Sequence, residues 1–394
     1  MTDVTQAGVL SPGIAATRPT RFAARPGYLF GPAFDFLTLG GASIIICAAI
    51  AVLFPRGIPT AQQAVLITLL MTIINQPHFA HSYQMFYRNY RDKAFGAYPA
   101  GLRLRYITAG VLVPIALIGF LAGTALAGSA RLLAYGANAM FFLVGWHYVK
   151  QGYGIMIVDS VQKRIMFPDS AKAIFRANGY ASWMVAWLGL NHAISTRNDY
   201  IGLVYFSLPL PAWIYQAAVA ALVVTSIATG AVLVRRWRET KGQLPWNGLV
   251  AYLTTLYLWV IFVRINPLVL AVVPTFHSLQ YLAVVWRYQL NAGAQGAGTR
   301  APSLLARFLP APWSSFVFFI AAGIFLGYLG FMGIPRSMDA ILPYDKHVFG
   351  SGLFVFSFYI FINIHHYFLD NVMWRRGNPD VQQYIFSRPR SGSR

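Results

Sequence analysis

Residues 363–376 read NIHHYFLDNVMWRR and close the last strongly apolar segment of the chain. Two imidazoles, His365 and His366, and one carboxylate, Asp370, lie here inside hydrophobic sequence, and an aromatic residue and two arginines follow them. Ionisable side chains are costly in a membrane-spanning helix, so they face the interior of the bundle or a cavity. The segment therefore predicts a membrane-embedded helix that carries a functional polar site.

The same layout, a histidine ten residues before an arginine, occurs in two earlier apolar segments. His78 lies ten residues before Arg88, and His277 lies ten residues before Arg287. Ten residues of helix span about 15 Å, which is half the thickness of the hydrocarbon core of a bilayer. These histidines are therefore expected at one depth, and His147, in a further apolar segment, is expected at a similar depth.

The composition predicts an all-α, polytopic membrane protein. Of the 394 residues, 57% are hydrophobic and only 11% are charged, whereas a soluble domain carries about 25% charged residues. The length suits one transmembrane helical bundle of about ten spans at roughly 20 residues each. We expect a flexible cytoplasmic tail over residues 1–30, the bundle over 31–376 and a basic cytoplasmic tail over 377–394.

The distribution of basic residues predicts the orientation of the bundle. The apolar segments predict spans near 33–54, 63–87, 106–127, 132–158, 178–195, 212–234, 246–263, 267–286, 313–334 and 349–374. Of the 31 Lys and Arg residues, 24 lie in the two tails and the loops after the even-numbered spans, and six lie in the alternate loops. Positive loops stay on the cytoplasmic side. An even number of spans, both termini in the cytoplasm and a location in the cell inner (plasma) membrane are therefore expected, with a possible hinge at Asn266 and Pro267.

The formal charge of +20 does not indicate a nucleic-acid partner, because the basic residues are dispersed among loops between apolar segments. The lipid bilayer is the expected partner instead. Cys47 is the single cysteine, so an intrachain disulfide is excluded and a thiolate metal site is disfavoured. The polar first 30 residues have no early apolar region of the kind found in a cleaved signal peptide.

A second polar residue follows each of the four histidines by three or four positions, on the same helical face. Four helices that all run from outside to inside would thus carry polar stripes at matching depth, which is simplest if the stripes meet in the bundle. The following residues are His81 after His78, Lys150 and Gln151 after His147, Gln280 after His277, and Asp370 after His366.

Several imidazoles and one carboxylate suit a metal ion, and in particular non-haem iron with positions open to oxygen. Asp370 would orient a ligand or relay a proton, and Lys150 would pair with Asp370 or meet a substrate carboxylate. Gln151 and Gln280 would contact the cofactor. His192 lies near the outer end of a span and His347 lies in a charged outer loop, so both are expected outside the site. The expected ligand pool is His78, His81, His147, His277, His365 and His366.

The histidine pattern resembles that of integral-membrane non-haem iron oxygenases. The sequence His78-Phe79-Ala80-His81 and the pair His365-His366 are similar to parts of the compact histidine boxes of desaturases and alkane hydroxylases. The chain has no complete HxxHH box and more spans than that fold. Single histidines spread over several spans resemble the bacterial membrane carotene-cleaving oxygenases in style. The resemblance implies a metal-dependent oxygenase that acts on a lipophilic small molecule.

Two other functions use the same groups. Intramembrane His, Asp and Lys also serve as proton relays, so a transporter of protons, metal ions or small solutes is one alternative. A b-type haem electron carrier with axial histidines is the other, although it needs only two ligands per haem. Zinc, copper and haem are therefore alternatives to iron at this stage.

Overall fold

The computed structural model describes residues 27–54, 60–193, 199–200, 203–204, 206–265, 268–296, 301–310 and 313–386. These residues are helical apart from turns, short connections and one hairpin, in agreement with the predicted all-α class. Most of the predicted N-terminal tail, the proposed hinge at Asn266 and Pro267, and residues 387–394 of the C-terminal tail lie outside the described residues.

Ten long helices occupy the described part of the chain, one for each predicted span. They are α1 (Pro32–Leu53), α2 (60–87), α3 (Ala100–Leu126), α4 (Ala130–Gln162), α5 (Asp169–Ala193), α6 (Ala212–Glu239), α7 (Trp246–Ile265), α8 (Leu268–Ala294), α9 (Trp313–Ile341) and α10 (Leu353–Met373).

Short elements fill several of the connections between these helices. In the connection after α5, the strands β1 (Asp199–Tyr200) and β2 (Leu203–Val204) pair antiparallel, a small departure from a purely helical chain. The remaining short elements are the helices Tyr90–Phe95, Ser303–Phe308, Lys346–Phe349 and Pro379–Val381 and the π turn Gln382–Phe386.

Six of these helices are long and apolar enough to cross a membrane: α1, α3, α4, α6, α9 and α10. This identifies a helical membrane protein. The helices α2, α5, α7 and α8 occupy the other four predicted spans, and α2 and α8 carry polar residues such as Gln76 and Gln280 that lower their apolarity. The prediction of ten spans requires that these four helices also cross, and it stays a prediction.

Several helices are longer than the apolar segments that predicted them. Helix α5 begins at Asp169 rather than near 178, and α8 continues to Ala294 rather than ending near 286. Hydropathy marks only the part of a helix inside the bilayer, whereas backbone hydrogen bonding continues the helix into water. The last helix is shorter than predicted, because Gly350 has a φ of 67° and separates Lys346–Phe349 from α10.

Prolines produce π turns inside three of the long helices. A proline lacks an N–H, and its ring collides with the carbonyl four residues earlier, so the preceding turn widens. In each case the proline lies two residues after the π turn: Pro77 after Met71–Asn75 in α2, Pro114 after Thr108–Leu112 in α3, and Pro335 after Leu329–Gly333 in α9.

Helix α10 lies at the centre of the bundle and packs against α2, α3, α4 and α9. Its inner positions are closely packed, and Ile360 and Leu369 are both fully buried. Helix α9 comes close to α2 because Gly327 has no side chain, and a Cβ there would lie 2.8 Å from the backbone of Gln76. This packing fixes the position of α2, and therefore of His78, relative to α10.

Candidate metal centre

Four histidines from four helices meet at the centre of the bundle. They are His78 of α2, His147 of α4, His277 of α8 and His366 of α10, and none of them is more than 6% exposed. The centroids of neighbouring rings are 4.8 Å apart for His78 and His366, and 4.9 Å apart for His147 and His366. The centroid of His277 lies 4.8 Å from that of His147 and 5.3 Å from that of His78, which closes the circle.

These separations fit the spacing of imidazoles around a shared metal ion. A ring nitrogen 2.0–2.1 Å from an ion places the ring centroid about 3.2 Å away, so neighbouring centroids are about 4.5–5.2 Å apart in planar or tetrahedral sites. The observed range is 4.8 to 5.3 Å. Two axial imidazoles of a haem would stand roughly 6 Å apart with the porphyrin between them. The neighbouring rings of this cluster stand closer together than that.

Hydrogen bonding fixes the tautomer of His78. Its Nδ1 donates to the backbone carbonyl of Asn75 at 2.5 Å and lies 2.8 Å from Oγ of Ser278. A neutral imidazole that donates through Nδ1 has its lone pair on Nε2. The Nε2 atom is therefore the nitrogen that could bind a metal, and Asn75 and Ser278 orient the ring, as outer partners commonly do in metal sites.

Asp370 lies one turn below His366 and presents its two oxygens differently. Oδ1 accepts hydrogen bonds from Oγ of Ser82 at 3.1 Å and from the hydroxyl of Tyr281 at 3.0 Å. Oδ2 lies 3.4 Å from Nε2 of His366 and 3.7 Å from Nε2 of His147. The hydroxyl groups thus hold the carboxylate so that its second oxygen faces the histidines.

Seven buried atoms of these five residues have no hydrogen-bond partner among the described residues. They are Nε2 of His78, Nε2 of His147, both ring nitrogens of His277, both ring nitrogens of His366, and Oδ2 of Asp370. A buried polar atom without a partner costs about 1–3 kcal/mol. Two overlapping groups, His78 with His277 and His366, and His147 with His366 and Asp370, each have ligand atoms within 4.8 Å of one another. These buried groups could hold a metal ion.

The structure does not bring the other two predicted ligands into this cluster. Nδ1 of His81 lies 3.1 Å from Oε1 of Gln84, and its ring stacks on Phe319 of α9 at 3.7 Å. Nδ1 of His365 lies 2.8 Å from the hydroxyl of Tyr83, and its Nε2 lies 2.9 Å from the carbonyl oxygen of Ala109. Both nitrogens of His365 are therefore engaged by the protein.

The contact to Ala109 has a local cause. Ala109 belongs to the π turn before Pro114, where a carbonyl would accept from the N–H five residues later. Residue 114 is a proline and has no N–H, so His365 provides the missing donor. His365 therefore stabilises the π turn of α3. His192 and His347 are both exposed and stand apart from the cluster.

The remaining predicted site residues surround the cluster. Nε2 of Gln151 donates to the carbonyl of His277 at 3.0 Å and to Oε1 of Gln280 at 3.2 Å, and Nε2 of Gln280 donates to the carbonyl of Leu39 at 2.5 Å. The two glutamines thus join α4, α8 and α1. The ammonium of Lys150 donates a hydrogen bond to Oδ1 of Asn371 at 2.7 Å, so the predicted ion pair between Lys150 and Asp370 is wrong.

A cavity of about 690 Å³ adjoins the cluster. His147, Asp370, Tyr281 and Tyr367 line it, together with apolar side chains and the C-terminal π turn Gln382–Phe386. His78, His277 and His366 do not line it, so the cluster has one open side and one closed side. The sequence predicted residues 377–394 only as a basic tail. In the structure Val381 and Ile385 pack into the core, and their spacing of four residues is the sequence signal that indicates this inward-facing apolar side.

The sequence did not identify the residues that orient the site. Ser82 lies four positions after His78, and Tyr281 lies four positions after His277, just as Asp370 lies four positions after His366. These three residues form one hydrogen-bonded layer a turn below the histidines. The i, i+4 spacing could have identified them, but hydroxyl groups alone do not distinguish a site from ordinary packing.

Comparison of the chain with family models, curated proteins and solved structures finds no match. The resemblance to membrane non-haem iron oxygenases therefore stays an expectation, and the geometry of the site is the basis for a functional proposal.

Proposed function

We propose that this protein is an integral-membrane, iron-dependent oxygenase or hydroxylase that acts on a lipophilic substrate. The observation that carries the proposal is the direct contact between a buried cluster of metal-ligand side chains and a large cavity inside the helical bundle. Bound iron would supply oxygen activation and redox chemistry, and a lipophilic substrate partitions into the bilayer that surrounds the bundle.

The ligand types support iron over other metals. His147 and Asp370 line the cavity, and together with the buried His366 they form one group of ligand atoms that could hold a metal ion. Two histidines and one carboxylate with open positions are the ligand set of many non-haem iron oxygenases. The single cysteine, Cys47, packs among apolar side chains in the core, so thiolate is not part of the set.

The chain itself provides orientation and exclusion of water. Ser82 and Tyr281 hold the Asp370 carboxylate, and Asn75 and Ser278 hold the ring of His78. The ring of Tyr148 stacks on that of His277 at 3.9 Å and covers it. A preorganised polar group in a dry site acts more strongly than one in water, so this packing favours redox chemistry on an apolar substrate.

The test is a comparison of lipids from cells that express the wild type or the variant His147→Ala. His192→Ala, in which an exposed histidine is lost, serves as the control. We expect an oxidised lipophilic product, detected by mass spectrometry, in the wild type and the control and not in His147→Ala. Identical lipid profiles in all three strains, together with a purified wild type that binds no metal, would favour the transporter alternative instead.

A further inference from the structure

Lys150 places a positive charge in the cavity beside the proposed centre. It lies one helical turn after His147, and its ammonium stands 4.1 Å from the ring centroid of Trp146. Its hydrogen-bond acceptor is the neutral side chain of Asn371. Among the described residues, no carboxylate lies within 4.0 Å of the Lys150 ammonium, although a charged group inside a membrane protein usually has a partner.

Arg375 adds a second positive charge to the same wall of the cavity. Its Nε donates to the carbonyl of Asn371, the residue whose side chain holds Lys150, so one residue joins the two cations. Arg375 is exposed, and partial desolvation and the neighbouring guanidinium of Arg105 lower its pKa. Within the described chain, Arg375 also has no carboxylate within ion-pair distance.

The carboxylates around the cavity are engaged elsewhere. The Asp35 carboxylate accepts from the backbone N–H groups of Leu29 at 2.7 Å and Phe30 at 3.0 Å. Asp159 pairs with Lys163 at 2.8 Å. Asp370 is held by hydroxyl groups in the histidine cluster. The positive charge of Lys150 and Arg375 is therefore left for a group that enters the cavity.

We infer that the substrate is an amphiphile whose anionic group, a carboxylate or a phosphate, binds between Lys150 and Arg375 while its apolar chain lies along the cavity past His147. This inference rests on the proposed function for the identity of the ligand as substrate. Lysine and arginine form strong, charge-assisted hydrogen bonds with both kinds of oxyanion. The volume of 690 Å³ lies inside the range of about 300–1,000 Å³ that is usual for small-molecule sites.

Apolar side chains form the walls that would hold the chain of such a molecule. Ile155 and Val158 of α4, Val284 of α8 and Ile385 of the C-terminal π turn all line the cavity. A neutral hydrocarbon would pack against these apolar walls but would leave Lys150 and Arg375 without a counter-charge. The arrangement therefore favours an amphiphile over a neutral hydrocarbon.

The test measures binding of three 16-carbon probes to the full-length protein in nanodiscs by isothermal titration calorimetry. The probes are palmitate, hexadecyl phosphate and hexadecanol, which share a chain and differ in the head group. We expect at least one of the anionic probes to bind tenfold or more tightly than hexadecanol. A preference for palmitate identifies a carboxylate as the ligand group, and a preference for hexadecyl phosphate identifies a phosphate.

Variants of Lys150 test its contribution to the preference. Lys150→Met should reduce the anionic preference at least fivefold, whereas Lys150→Arg, which keeps the charge, should retain it. Lys172→Met is the matched control, because Lys172 also lines the cavity but pairs with Asp169 at 3.0 Å, and it should leave the preference unchanged. Equal binding of all three probes by the wild type, or an unchanged preference in Lys150→Met, would overturn the inference.

Metal content measured on the same preparations separates this inference from the proposed function. A metal-loaded wild type without anionic preference would end the inference and leave the metalloenzyme proposal intact. A metal-free wild type that prefers the anionic probes would support the anion site and contradict the metalloenzyme proposal.

Discussion

Two adjacent histidines of α10 should respond in opposite ways to the same substitution. Phenylalanine keeps a ring of similar size, so His365→Phe removes mainly the contacts of Nδ1 to Tyr83 and of Nε2 to Ala109. Hydrogen bonds in membrane helices contribute about 0.6 kcal/mol on average and about 1.7 at most. We therefore expect His365→Phe to lower the free energy of unfolding by about 1–3 kcal/mol and to leave bound metal in place, whereas His366→Phe should abolish metal binding.

A double-mutant cycle tests the reason given for the role of His365. Pro114→Ala restores an N–H that can reach the carbonyl of Ala109, so His365 is then no longer its necessary donor. The double variant His365→Phe with Pro114→Ala should recover about 0.6–1.7 kcal/mol of the loss, the energy of one such bond. The measurement is unfolding in SDS mixed micelles followed by circular dichroism, with metal content determined in parallel.

Additive losses in this cycle would show that Pro114 and His365 do not share a carbonyl. Loss of metal from His365→Phe with the fold retained would place His365 among the ligands and contradict the assignment of the two rings. Retention of metal by His366→Phe would show that His366 is not a ligand and would also contradict this assignment.

Asp370→Asn keeps an oxygen for Ser82 and Tyr281 but removes the charge that faces the histidines, so metal affinity should fall at least about 10-fold without unfolding; unchanged affinity in a chelator competition would contradict this role. Gly327→Ala should force α9 away from α2 and release metal, because its Cβ would meet the backbone of Gln76 at 2.8 Å, whereas Gly230→Ala, with nothing within 4 Å, should have no effect. Equal thermal stability of these two variants would argue against the close helix contact. A reporter enzyme fused after Arg394 should be active in the cytoplasm, and external activity would refute the predicted cytoplasmic C-terminus.

The depth of the site could be predicted from the sequence because depth along a helix follows from residue number. Three histidines stand ten residues from an arginine on helices predicted to run in one direction. This offset selected His78 and His277, which the structure brings together with His147 and His366. Helices also fill all ten predicted spans in the described chain, although only six are long and apolar enough to cross a membrane by themselves.

The direction in which each side chain points could not be predicted in the same way. Adjacent residues on a helix point about 100° apart, and each π turn adds a further rotation that the apolar pattern does not show. This is why the sequence could not separate His365 from His366, and why His81 faces Phe319 of α9 instead of the cluster. The partner of Lys150 depends likewise on which neighbouring helix it meets, so Asn371 could not be distinguished from Asp370.

Metal analysis of the purified full-length protein tests the central claim most directly. Inductively coupled plasma mass spectrometry should find iron in at least a one-to-one ratio to the wild-type chain. The single variants His78→Ala, His147→Ala, His277→Ala and His366→Ala should each lose it, and His347→Ala should retain it. A folded wild type without bound metal after expression in iron-supplemented medium and reconstitution with Fe²⁺ would contradict the account.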